Sequence, residues 1–309
     1  MRRWAWLIAA VMLGSLAASC GPPPPPPRPA LVSAAESLAA QGSRWYRRGC
    51  LVKARALFGE ALAAARLTDD VAAMARARNN LAAVAIAAGD SAAAARHLDR
   101  AEALNRSARV PGLAALILGN RAAVAYRRHR LERAEKLWLQ AARAAGQDPA
   151  RTGLALHLVN LAMVQRKAGR PRQAAAWLAR ARAAGAEDRA DYWVQLGLVQ
   201  QALGRRPAAR AHLLRALALD KARTNPAGIA EDLTLLGRLE LAMGSRRQGL
   251  DHLDRAIRLW AELGRTDKAV AVLGTINQAR AAAGQPPETA RYRKLIEDSR
   301  RGPSPLLCR

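Results

Sequence analysis

Asn80, Asn120 and Asn160 are the residues of this chain whose type and spacing suggest a chemistry. They stand forty residues apart, in N-N-L-A, G-N-R-A and V-N-L-A. A side-chain amide carries both a donor and an acceptor, as a peptide unit does. Amides repeated at one place on successive elements suit the main chain of an extended polypeptide, which needs both at each residue. Gln195 takes the equivalent place in a later unit, and Leu235 interrupts the series after that.

Catalytic patterns are missing. There is no G-x-x-x-x-G-K, G-x-G-x-x-G, H-E-x-x-H or G-x-S-x-G. The three cysteines have no metal-ligand spacing. Of the five histidines, His97, His212 and His252 each precede a leucine. With His129 and His157 they read as surface or partly packed side chains, because a metal site would need further ligands. No catalytic residue, metal or cofactor is expected, and the chain does not read as an enzyme. Its function is expected to be binding.

The elements that must position the amides are legible from the residues after each one. An Ala comes two places on, another fourteen on, an apolar residue eighteen on and an Ala twenty-one on: Ala82, Ala94, Leu98, Ala101; Ala122, Ala134, Trp138, Ala141; Ala162, Ala174, Leu178, Ala181. Three copies in register mark an array of one supersecondary unit. Apolar residues make up 51% of the chain and aromatics only 4%, with a single Phe. The apolar content is therefore mostly Ala and Leu, which favour helix, and the fold class is all-α.

Further units extend the register. The first carries Gly42, Trp45, Gly49, Ala54, Phe58 and Ala61; the fifth Leu196, Gly197, Gly204, Ala209 and Leu213; the sixth Leu236, Gly237, Gly244, Gly249 and Leu253. This pattern resembles the tetratricopeptide repeat, over about residues 31–300. The resemblance implies a right-handed α-α superhelical solenoid of about six or seven helical hairpins. Small residues such as Ala82, Ala134 and Gly197 are expected where two helices approach closely. Gly49, Gly89, Gly169, Gly204 and Gly244 fall where first helices stop, with His129 standing in for glycine in the third unit. Val110-Pro111, Asp148-Pro149 and Asn225-Pro226 read as helix starts. A weaker hairpin is expected near 265–300, followed by an irregular tail at 301–309.

In such arrays the first helix of each unit lines the concave face. The resemblance thus places Asn80, Asn120, Asn160 and Gln195 in a groove, with Arg47, Arg76, Arg127, Arg166, Lys167 and Arg238 as its basic entries. Ile86, Leu116, Val159, Met163, Val194 and Leu198 are its apolar wall. The implied ligand is an extended protein segment with apolar and some acidic side chains. A solvated face without a ligand is the plainer alternative.

The N-terminus reads as targeting sequence. Arg2 and Arg3 precede an almost wholly apolar run over 4–19, short for a membrane span. L-A-A-S-C-G ends that run and resembles a bacterial lipobox, with Ala17 where that motif prefers Leu. The resemblance implies a signal peptide over 1–19 and lipidation of Cys20. An ordinary cleaved signal and an uncleaved anchor are the alternatives. Pro22 to Pro27 is an unbroken run within a spacer at 20–30, stiff in polyproline II. Gly21 is not the Asp of the inner-membrane retention signal, which implies the outer membrane, facing the periplasm, in a bacterial envelope. The expected partners are an envelope protein in the groove and the membrane through the lipid.

Net charge is +26. It is spread along the whole sequence, as solvated helix faces in an arginine-rich protein would be. Contact with an anionic surface, peptidoglycan or lipid, is the alternative. Nucleic acid is not expected, since no basic stripe is interleaved with aromatics. Cys50, in the first turn, and Cys308, the penultimate residue, are expected at opposite ends of the solenoid and unbridged.

Overall fold

The computed structural model describes residues 30–304 and Cys308. The apolar run, Cys20 and the proline spacer lie outside the described residues. By contacts the chain divides into Met1–Ala30 and Leu31–Arg309, and the repeat array belongs to the second unit.

Among the described residues there are fourteen α-helices and no strand, arranged as seven hairpins. These are α1 (Ala30–Arg47) with α2 (Leu51–Leu67), α3 (Val71–Ala88) with α4 (Ser91–Ala108), and α5 (Leu113–Arg127) with α6 (Leu131–Gln147). Next come α7 (Leu154–Lys167) with α8 (Pro171–Ala183), and α9 (Ala190–Ala202) with α10 (Arg206–Ala222). The last are α11 (Pro226–Ala242) with α12 (Arg246–Glu262), and α13 (Thr266–Ala281) with α14 (Thr289–Ser299). The all-α repeat array expected from the register is what the chain forms.

Each hairpin turns the same way. A residue in the left-handed region ends the first helix, and the next N–H reaches back to a carbonyl five residues earlier. In the fourth and sixth units these bonds are Arg170 to Gln165 and Ser245 to Glu240, both 2.9 Å. Gly169 and Gly244 hold the positive φ there, at 73° and 83°. His129 adopts φ 58° in the third unit, a place where a Cβ costs roughly 1–2 kcal/mol.

The starts of first helices only partly follow the proline pattern. Asn225 caps α11, its side chain accepting from the Gly228 N–H with Pro226 in the first turn. Val110-Pro111 and Asp148-Pro149 instead lie in turns, and α5 and α7 begin after Gly112 and Gly153 at φ 69° and 78°. The Asp148 carboxylate explains the second case, because it accepts from the Ala150 and Thr152 N–H groups and closes a turn ahead of the helix.

The repeated small residues are the contact points within hairpins. Ala82, Ala122 and Ala162 on first helices, and Ala94, Ala134 and Ala174 on second helices, expose no surface. In the sixth unit both partners are glycine, and a Cβ on Gly237 or Gly249 would lie 2.9 Å from the other's carbonyl oxygen. The bulky positions close over these contacts: Leu98, Trp138, Leu178, Leu213 and Leu253 are all buried. Val159, expected in the groove wall, belongs to this core beside Leu158 and Leu161.

First helices of neighbouring units approach closely, α3 with α5, α7 with α9 and α11 with α13; among second helices of the described units only α12 and α14 do so. The first helices therefore line the inside of the curve. That curve brings the two ends of the array together. Cys50 and Cys308, expected far apart, form a disulfide with a Cα separation of 5.6 Å. The reason is the accumulated rotation between units. After six hairpins the chain has come round, so that Gly49 faces Leu263 and Ala227 at the ends of α12 and α11. The tail meets the end of α12, where the Ser304 N–H donates to the Glu262 carbonyl. Lys53 Nζ donates to the carbonyl of Cys308 itself.

Candidate protein-binding groove

The three asparagines sit at one register position of α3, α5 and α7, each half-buried. Their amides are not in the same state. Asn120 Nδ2 donates to Asn79 Oδ1 at 2.9 Å, across from α5 to α3. Asn79 is the buried neighbour of Asn80, so one ladder member is tied to the previous unit. Asn80 and Asn160 have no hydrogen-bond partner among the described residues and keep donor and acceptor free. Gln195 on α9 accepts from Arg166 Nε at 3.4 Å, which joins the fourth and fifth units along the inner face.

The basic residues expected in the groove separate into two sets. Arg76 is exposed early in α3, and Arg238 on α11 donates to Thr275 Oγ1 of α13. Arg47, Arg127, Arg166 and Lys167 all stand in the last turn of a first helix, at the edge of the solenoid where hairpins turn. Arg47 also lines a cavity of about 370 Å³, where the first turn meets the later units, together with Tyr46, Asp220, Trp260 and Leu263.

Polar residues that the spacing did not single out bind the units to one another. In the fourth and sixth units the side chain five places beyond the ladder position reaches the second helix of the preceding unit. Gln165 Nε2 donates to Glu135 Oε1 of α6 at 2.6 Å. At the same place in the sixth unit, fully buried Glu240 accepts from Arg210 Nε of α10 at 3.0 Å and lies 2.9 Å from His252 Nδ1. His157, at the start of α7, is buried against Gly119 of α5, where a Cβ would meet its ring at 2.4 Å. Burial, with a smaller contribution from Arg189, pushes its pKa down to about 4, so the ring is neutral at physiological pH. Asp232 on α11 is also buried, and burial first, then Asp220 and Glu231, raise its carboxyl to about 8. Among the described residues no cluster of His, Cys, Asp and Glu could hold a metal ion. Likewise, no helix among the described residues is long and apolar enough to cross a membrane.

Both edges of the solenoid carry bases. On the link edge, between one hairpin and the next, Arg182 pairs with Glu187, Arg189 with Asp191, Arg223 with Asp188 and Arg265 with Asp267, while Arg66, Arg106, Arg109, Arg143, Arg151 and Lys221 near it are exposed and have no ion pair among the described residues. The turn edge of the third to sixth units carries bases that are mostly unpaired. Arg127, Arg130, Lys167, Arg172, Arg205 and Arg247 are all exposed and have no ion pair among the described residues.

No protein-family model and no curated protein matches the sequence. Solved structures do match in shape. The chain is similar to BtubC from P. vanneervenii at 20% identity and TM-score 0.50, over 75% of this chain and 92% of that one. It is similar to the apo form of RapI at 13% identity and TM-score 0.54, over 74% and 83%. It is also similar to a chain of the APC/C hetero-tetramer Cut9-Hcn1 at 14% identity and TM-score 0.54, over 88% and 57%. With hairpins in one register, small residues at each helix contact and first helices on the inner curve, the chain has the fold of the tetratricopeptide repeat.

Proposed function

We propose that the protein is a non-catalytic adaptor that holds an extended segment of another envelope protein against its inner face. The observation that carries this is the pair Asn80 and Asn160: the same register position, half-buried on inner helices, with both amides unpaired. An amide that is neither buried in the core nor bonded within the fold can bond a peptide main chain without giving up an existing partner. Arg76 and Arg238 flank that line and favour acidic side chains on the segment. Cut9, one of the structural neighbours, was solved in an assembly with another protein, which is the behaviour proposed here.

The location is part of the proposal. Cys20 carries the lipid, the proline run spaces the solenoid from the membrane, and the solenoid faces the periplasm from the outer membrane. The Cys50–Cys308 bridge supports an exported chain, because disulfides persist in oxidising compartments. Replacing Cys20 by Ser is expected to abolish incorporation of radioactive fatty acid and leave unprocessed precursor. Absence of label in the wild type, in a host with lipoprotein machinery, would refute the anchor.

The test of the groove is the double substitution Asn80→Ala with Asn160→Ala. Each hydrogen bond lost to a bound segment costs about 0.5–1.5 kcal/mol, and each amide can make two. Capture of partners from envelope extracts is expected to weaken by about tenfold or more, with melting nearly unchanged. Undiminished capture would sink the clamp, and a much lower melting temperature would make the pair structural.

A further inference from the structure

We propose that the turn edge of the third to sixth hairpins is a second interaction surface, and that it fits an acidic stretch of an extended polypeptide. This rests on the adaptor reading above and adds a separate face to it. Three observations carry it: which residues the edge holds, how they are connected, and how the edge is shaped.

The six unpaired bases named above come from four consecutive turns, while the second unit's turn, Gly89-Asp90, has no base. Contacts tie the third turn to the fourth and the fifth to the sixth. Arg170 of the fourth turn pairs with Glu135 at the start of α6 at 2.9 Å. Arg206 of the fifth turn donates to the Ala242 carbonyl that ends α11, at 2.9 Å. Elements packed in this way lie about 10 Å apart, so four turns span roughly 30 Å, the length of about nine extended residues.

Shape selects the kind of polyanion. Gly49, in the first turn, packs on Leu263 and Ala227, which belong to the link edge of later units. One circuit of the array therefore displaces the turn edge by about one helix length, ~25 Å for the seventeen residues of α11. The edge climbs as a spiral. A flat lipid surface touches only part of a spiral, whereas a flexible chain can follow it. The described bases of the row are also not interleaved with exposed aromatic side chains, which single-stranded nucleic acid would use for stacking. Guanidinium groups, five of the six, match carboxylates with paired donors. The inner face opens onto the same row through Arg166 and Gln195, so one partner can lay an apolar stretch inside and an acidic stretch along the edge.

The experiment uses the full chain in uncharged detergent and a fluorescent decaglutamate peptide at low salt. Arg130, Lys167, Arg172 and Arg205 are changed to Gln in one variant. Arg66, Arg106, Arg143 and Lys221, exposed near the link edge or on the outer helices, are changed in a control with the same net charge. The first variant is expected to lose about tenfold or more in affinity and the control less than about threefold. Equal losses would show that net charge alone binds the peptide and would overturn the proposal. Displacement of the peptide by phosphatidylglycerol doped into the micelles would overturn it in favour of a lipid surface. Decaglutamate has no apolar side chain, so the Asn80→Ala, Asn160→Ala variant is expected to bind it as the wild type does. A loss there would mean that the edge is no separate surface; an unchanged result leaves the groove reading to its own test.

Discussion

The contacts inside each hairpin and the contact that joins the two ends of the array are built on different principles. Inside a hairpin, alanine or glycine meets the opposite helix at the same register in the first six units, from Ala54 to Gly249. At the join, Cys50 meets Cys308, Gly49 meets Leu263, and Tyr46 and Arg47 share a cavity with Asp220 and Trp260. None of those pairings recurs elsewhere. A periodic contact stabilises the unit, and a unique contact stabilises the arrangement of units. The two should respond differently to perturbation.

The largest effect is expected at the join. Cys50→Ser removes a cross-link over 258 residues, and loss of a native bridge closing a long loop costs roughly 2–4 kcal/mol. Denaturant unfolding of the oxidised wild type, the reduced wild type and the variant should show the last two coinciding well below the first. Coincidence of all three would mean that the join adds nothing to stability. Within a hairpin, Ala134→Leu or Ala174→Leu overpacks a closed helix contact and is expected to cost about 1–3 kcal/mol. Arg133→Ser or Arg172→Ser, one or two residues away, should stay within about 0.5 kcal/mol. Similar shifts in both sets would break the register that assigns one pair to the contact and the other to solvent.

A further effect depends on pH. The Asp232 carboxyl titrates near 8 in the folded protein, against an ordinary carboxylate value when unfolded. Between about pH 4 and pH 8 the native state therefore holds a proton that the unfolded state has lost. Its contribution to stability falls as pH rises across that window and levels off above 8. Asp232→Asn is expected to flatten this slope and to stabilise the protein at pH 8 relative to the wild type. Retention of the full slope in the variant would place the titrating group elsewhere.

How much the sequence revealed depends on the same distinction. Helix identity, the seven hairpins, the left-handed turn residues and the buried alanines all repeat, and repetition is visible in one sequence. His129 could be placed at a left-handed position only because its neighbours in register are glycines. Asn120 differs from Asn80 and Asn160 through Asn79, a residue outside the ladder, so its bond to the preceding unit had no periodic signal. The disulfide depended on the rotation between units summed over the array, a quantity no local pattern encodes. The basic edge was hidden differently. Its residues were in plain view at the ends of first helices and the starts of second helices, but only the fold sets the turns of neighbouring units side by side. The bridges from Gln165 and Glu240 share a register position, five places beyond Asn160 and beyond Leu235, and a search for polar residues at that position of each unit would have found them.

The tie between Cys50 and Cys308 also bears on how the array comes apart. A linear array of repeats frays from its ends, because a terminal unit has one neighbour where an internal unit has two. Here the first hairpin has a second neighbour in the sixth, and the tail is covalently fixed to it. With the bridge intact, amide exchange should slow in α1, α2 and α13 toward the rates of the middle helices, and opening should take in the whole array as one cooperative unit. With the bridge reduced, the ends regain their freedom and exchange should become graded from the termini inward.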